Sequence, residues 1–166
     1  AEHAALDCGA GIGRVAAAVL LPRFACVELL EPSAAFLDEA RRRLPAERLR
    51  AAHCAALQDF TPPTAARYGA VWVQWVLNYL TDADLVGFLA RTTPHLAPGG
   101  LLLVKESVAR AGAGFYADRA EASITRTDEH FRELFARANL RVRACRMQPG
   151  LPRAIFPVCM YALEAT

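Results

Sequence analysis

The segment Leu6-Asp7-Cys8-Gly9-Ala10-Gly11-Ile12-Gly13-Arg14 leads an apolar run into a glycine-rich turn and then into a helical pattern. Glycines at such a turn let backbone approach a ligand closely, and the free N–H groups at a helix start favour negative charge. The dinucleotide-binding pattern is G-x-G-x-x-G, whereas this turn reads G-x-G-x-G, with an acid two positions before the first glycine. The spacing disfavours a nicotinamide oxidoreductase. Glu31 ends the next apolar run, where a carboxylate can accept hydrogen bonds from both hydroxyls of a ribose. Taken singly, each feature is ordinary: a steric turn and a solvated strand-end carboxylate. Together they point to a nucleoside ligand.

The elements that must hold these residues alternate between short apolar runs and helical patterns, as in repeated βαβ units on a largely parallel sheet. Strands are expected at Ala4 to Cys8, Cys26 to Leu30, Leu49 to Ala55, Ala70 to Val76 and Leu101 to Val104, with a closing pair at Leu140 to Met147 and Ile155 to Leu163. Helices are expected from Ile12 to Leu21, from Ser33 to Leu44, from Thr81 to Leu96 and after Thr127. Ser33, Thr81 and Thr127 are N-cap residue types, and Thr81 with Asp84 approximates a capping box. Pro98-Gly99-Gly100 reads as a turn, and residues 108–126 as a long connection without sustained period. Parallel strands deliver residues 9, 31, 57 and 74 to one carboxyl edge of the sheet, where such folds bind ligands.

A chain of 166 residues, 54% of them hydrophobic, fills one domain with a real core, which excludes disorder, collagen and coiled coil. The net charge of +2 does not point to a nucleic-acid binder, so no direct nucleic-acid contact is expected. The longest unbroken apolar stretch, Val15 to Leu21, is too short to cross a bilayer; a soluble protein without membrane association is expected. Five dispersed cysteines and four histidines show no metal or disulfide spacing, so no metal is expected and the cysteines read as small buried hydrophobes. The chain opens Ala1-Glu2-His3, without a methionine, and reaches a strand almost at once, as a fragment would.

Leu6 to Arg14 resembles the first motif of class I S-adenosylmethionine-dependent methyltransferases. The chain further resembles the α-N-terminal protein methyltransferases, which modify Xaa-Pro-Lys termini. The similarity runs through Leu57-Gln58-Asp59-Phe60-Thr61-Pro62, Val73-Gln74-Trp75-Val76, Leu80-Thr81-Asp82, Val104-Lys105-Glu106, Ser123-Ile124-Thr125-Arg126 and Met160-Tyr161-Ala162-Leu163, in family order. It implies an α/β three-layer Rossmann-like sandwich, with a seven-stranded mostly parallel sheet and an antiparallel last strand. It also implies a single domain lacking its N-terminal helices, S-adenosyl-L-methionine as cofactor with S-adenosyl-L-homocysteine as product, protein substrates with an exposed Xaa-Pro-Lys N-terminus, and a cytoplasmic and nuclear location.

Carried over by position, the resemblance places Gly9 and Arg14 on the methionine portion of the cofactor, with Gly11 also among the cofactor-binding residues. Glu31, Pro32 and Ser33 border its ribose and adenine, Leu57 and Gln58 flank the adenine, and Gln74 closes the site. Trp75 enters the peptide channel together with Ser123, and Asp118 matches a further acid that meets the substrate lysine; Trp72, in the apolar run, reads as core. The family's histidine, asparagine and aspartate are replaced by Tyr79, Ser107 and Glu121. Glu121 keeps a carboxylate for base work, whereas neutral Tyr79 is a poor base. An α-amino group has a pKa of ~7.7–8.0, so its deprotonation near neutrality needs only a modest base. A small-molecule N- or O-methyltransferase and a non-catalytic cofactor- or peptide-binding relative are the alternative readings.

Overall fold

Runs that are apolar at every position, rather than at alternate ones, belong in strands covered on both faces. β1 (Ala4–Cys8) and β2 (Val27–Leu30) are buried along their whole length. The computed structural model describes residues 3–112 and 114–166; Ala1, Glu2 and Ala113, and with them the start of the chain, lie outside the described residues. β3 (Leu49–His53), β4 (Tyr68–Gln74) and β5 (Leu96–Ser107) extend the parallel set. A small antiparallel hairpin of β6 (Phe115–Asp118) and β7 (Ser123–Arg126) follows, and β8 (Leu140–Met147) and β9 (Val158–Ala165) close the chain.

The seven-stranded sheet runs β3-β2-β1-β4-β5-β9-β8, with β9 antiparallel to both β5 and β8. Chain order reverses on either side of β1, which leaves a crevice beyond the carboxyl ends of β1 and β4. One face packs on α2 (Asp82–Thr92) and α3 (Asp128–Arg137) through Leu85, Phe88, Phe131 and Phe135. The other packs on α1 (Ala34–Arg43) and a π-helical turn, Ala16–Leu20, through Leu20, Leu37 and Ala40. All three α-helices start at the expected caps: Ser33, Thr81 and Thr127 accept from the N–H groups of Phe36, Asp84 and His130. Among the described residues, no helix is long and apolar enough to cross a membrane.

Several expectations need correction, among them the end of the helix that Thr81 caps, which is Thr92 rather than Leu96. β5 is not confined to Leu101 to Val104; it begins at Leu96 and absorbs Pro98-Gly99-Gly100 as an irregularity between the pairs Tyr68–Leu96 and Ala70–Leu101. The 108–126 connection contains the β6–β7 hairpin. Trp72 is only half-buried, and its indole N–H donates to Gln74 Oε1 at 3.2 Å. The cysteines are not all isolated hydrophobes: Cys54 is exposed, while Cys145 and Cys159 meet across β8–β9 with sulfurs 2.7 Å apart and within 4.8 Å of an Asp128 carboxylate oxygen. Burial, aided by the Cys145 contact, pushes the Cys159 thiol up to about 12, which keeps it protonated.

Candidate active site

The glycine turn follows β1 directly. Gly9 and Ala10 donate their N–H groups to Leu30 O at 2.8 and 3.1 Å, which ties the turn to the end of β2. Gly11 sits at φ +54, a left-handed conformation that glycine adopts without penalty, and a Cβ built there would meet nothing within 4 Å. Its N–H donates to Glu31 Oε2 at 2.9 Å, and the Ser33 N–H donates to Glu31 Oε1 at 3.0 Å. Glu31, 8% exposed, therefore faces the turn rather than bulk water. Two backbone donors orient its carboxylate, and each oxygen keeps acceptor capacity for a further hydroxyl.

Asp7 lies just behind this turn, buried, with Oδ2 accepting from Ala16 N–H at 3.0 Å. Burial pushes its carboxyl up to about 7, the Ala16 bond opposes that, and the nearby Glu31 charge adds to it. Arg14 and Pro32 are exposed, Ser33 and Gln74 half-buried, Leu57 buried and Gln58 exposed, at the ends of successive strands and in the turns that follow them. The carbonyl of Gln74 is engaged by Trp72, so its amide N–H groups are the ones available to a ligand.

A second concavity opens beyond β4 and β5. A cavity of about 280 Å³ is lined by Trp75, Asn78, Tyr79, Glu106, Ser107, Tyr116, Asp118, Ser123, Thr125 and Phe156. An adjoining one of about 560 Å³ shares Trp75, Ser107 and Phe156 and runs under the β8–β9 loop. Trp75 does not continue the strand: it takes φ +52, is 49% exposed, and has the Lys105 ammonium 5.0 Å from its ring centre. The alternation that would point it away from Gln74 therefore ends at Gln74.

Tyr79, Ser107, Trp75, Asp118 and Ser123 thus come together, drawn from four separate elements. Glu121 does not line this cavity; it lies exposed in the β6–β7 turn, its N–H bonded to Asp118 Oδ1 at 3.2 Å. Asp118 Oδ1 also accepts from Ala120 N–H at 2.9 Å, which fixes the carboxylate at the cavity edge.

Two residues that build the cavity, Glu106 and Arg126, lie in segments that match the family but have no role implied by the resemblance. Glu106, 2% exposed, receives four donors: Val76 N–H and Leu77 N–H on Oε2, each at 3.0 Å, and Ser107 N–H at 3.1 Å and Asn78 Nδ2 at 3.3 Å on Oε1. It clamps the loop after β4, including the turn that follows Trp75. Burial pushes its carboxyl up to about 7 despite these bonds. Arg126, fully buried, donates to Asp82 Oδ1 at 2.8 Å, Leu80 O at 2.7 Å, Leu77 O at 3.2 Å and Ile124 O at 3.4 Å. It pins the β6–β7 hairpin onto the same loop. Partial burial would raise the Asp82 carboxyl, but hydrogen bonds from Arg126 and His130 hold it below its ordinary value.

The glycine turn packs against the loop that lines the acceptor cavity. A Cβ on Gly9 would stand only 3.1 Å from Val76 Cβ, so the glycine turn abuts the loop that carries Trp75 to Tyr79. Strand order, glycine turn and carboxylate at the end of β2 define a Rossmann-like class I methyltransferase fold. The family model described as AdoMet dependent proline di-methyltransferase matches residues 1–164, and the chain belongs to that family. It is 46% identical to alpha N-terminal protein methyltransferase 1 of Arabidopsis thaliana, over 96% of this chain and 58% of that protein. It is 39% identical to N-terminal Xaa-Pro-Lys N-methyltransferase 1-B of Xenopus laevis, over 96% of this chain and 71% of that one. A solved SAM-dependent methyltransferase of Leishmania major superposes with a TM-score of 0.91 at 36% identity, over 99% of this chain and 65% of that chain. The chain spans little more than half the length of several curated relatives it matches.

Proposed function

We propose that this chain binds S-adenosyl-L-methionine over the carboxyl ends of β1 and β2, beside the Gly9–Gly13 turn and Glu31, and methylates the α-amino group of proteins that begin Xaa-Pro-Lys. The observation that carries this reading is the packing of Gly9 against Val76, in the loop whose Trp75, Asn78 and Tyr79 line the acceptor cavity. The residues present fit the cofactor. Gly11 leaves open space where any other residue would place a side chain, and Glu31 is oriented by two backbone donors to receive ribose hydroxyls. Relatives at about two-fifths identity carry this activity in their names.

When bound, the cofactor supplies an electrophilic methyl carbon on a sulfonium. Everything else falls to side chains that place an unprotonated amine in line with it. The aromatic walls Trp75, Tyr116 and Phe156 suit a proline ring at the second position. Asp118 is the half-buried carboxylate at the cavity edge whose Oδ2 is uncommitted among the described residues, so it receives the α-ammonium proton, with Tyr79 as a hydrogen-bonding neighbour. Glu121, on the exposed turn, faces the lysine at the third position. Base and lysine contact are thereby exchanged relative to the assignment that the resemblance implies.

Incubation of the protein with methyl-labelled cofactor and an Xaa-Pro-Lys peptide tests this: label appears on the α-nitrogen and is blocked by N-terminal acetylation. Label on the lysine side chain, or on a small-molecule acceptor but on no peptide, overturns the substrate reading.

A further inference from the structure

One residue that lines the acceptor cavity carries a polar atom without a partner among the described residues. Asn78, 7% exposed, lines the cavity, and its Nδ2 donates to Glu106 Oε1 at 3.3 Å and to Ser107 O at 3.1 Å. Those two acceptors settle the orientation of the amide, because reversing it would set Oδ1 against both. Among the described residues, Oδ1 is left buried with no partner. Among the described residues the only other buried side-chain acceptor without one is Gln148 Oε1, on a residue lining the adjoining cavity that shares Trp75, Ser107 and Phe156. A buried acceptor without a partner costs free energy in the folded protein, and a ligand that supplies a donor recovers that cost on binding.

We infer that Asn78 is a specificity-determining residue of the acceptor site, its Oδ1 accepting a hydrogen bond from the α-amino group of the bound peptide. The assignment rests on the proposed peptide substrate and adds a residue to it. The bland alternative is that Asn78 only braces Glu106 and Ser107, a role that its Nδ2 alone fulfils. Binding chemistry distinguishes the two. An oxygen waiting for a donor favours a free amine over a ligand of the same shape without one, whereas a brace is indifferent to the ligand's terminus. Asn78 also stands beside Ser107, so the short serine has an amide group at its side from the neighbouring loop.

The test is calorimetric binding of two peptides to the protein saturated with S-adenosylhomocysteine: Ala-Pro-Lys-Arg and its deamino analogue, with propionyl in place of alanyl. The parent protein binds the amino peptide more tightly, and in Asn78→Ala that preference falls by about 10-fold or more, the range for a hydrogen bond to a charged group. A preference unchanged in Asn78→Ala overturns the assignment while leaving the peptide reading intact. Binding of neither peptide by the parent overturns both. Should Asn78→Ala fail to fold, the side-chain amide resonances of Asn78 in the ¹⁵N-labelled parent give the same answer. They shift with the amino peptide and stay in place with the analogue if Oδ1 accepts from the amine; equal shifts with both contradict it.

Discussion

Replacing Glu106 with Gln takes an acceptor oxygen from a carboxylate that has none to spare. Oε2 holds the N–H groups of Val76 and Leu77, and Oε1 holds Ser107 N–H and Asn78 Nδ2. Whichever way the new amide turns, its NH2 faces two donors. Two buried donors left unmet cost about 1–3 kcal/mol each, or roughly 2–6 kcal/mol in all. The loss also depends on pH. Burial pushes the folded carboxyl up to about 7, while an unfolded glutamate releases its proton near 4.5. In between, the folded chain holds a proton that the unfolded chain has lost, so this contribution is complete below the lower value and disappears as pH rises through the upper one. From about pH 5 to about pH 8 the difference is on the order of 2 kcal/mol. Burial places Asp7 in the same position, up to about 7 from 3.8, and it contributes a similar fall. Urea unfolding followed by tryptophan fluorescence should therefore show the parent losing stability over this interval, and Glu106→Gln should lose about half of that slope. A variant within about 1 kcal/mol of the parent, or two parallel pH profiles, would refute the clamp.

Further outcomes follow from the same geometry. Arg126→Met strands the carbonyls of Leu77 and Leu80 and removes a guanidinium from Asp82, at a cost of about 3–5 kcal/mol and a fall in Tm of roughly 6–20 °C by calorimetry. A change under 1 kcal/mol contradicts it. Gly11→Ala meets no steric obstacle but must hold φ +54, at about 1–2 kcal/mol, so unfolding shifts modestly while cofactor affinity falls at least about 10-fold. Equal losses in both would show that the space beside Gly11 is not where the cofactor lies. Asp118→Asn lowers kcat by about 100-fold with the pH profile altered, while Glu121→Gln raises KM for lysine-containing peptides by less than about 10-fold. The opposite pattern restores the assignment implied by the resemblance.

How much was legible in the sequence depended on whether a residue acts through its neighbours in the chain or through distant ones. The N-caps Ser33, Thr81 and Thr127 bond three residues ahead, and all three helices begin where expected. The glycine turn and Glu31 were readable because each marks the end of an apolar strand, and the sheet brings those ends together. The β6–β7 hairpin was not readable: Phe115, Tyr116 and Ala117 are all exposed, so no alternation between core and solvent was imprinted on them. Arg126 looked like an ordinary charge beside a cap, because the carbonyls it satisfies lie 46 and 49 residues earlier. Glu28 likewise sits within an apolar strand signal, yet it is held by Arg50, His53 and Tyr68 from β3 and β4. Glu121 and Asp118 differ by three positions, and only the turn between them shows which faces the cavity.

The measurement closest to the centre of this account is calorimetric titration of S-adenosylhomocysteine into the protein and into Glu31→Ala. One site per chain is expected, with affinity reduced about 100-fold in the variant through loss of hydrogen bonds from two ribose hydroxyls to a carboxylate. Equal affinity for the two proteins would contradict it.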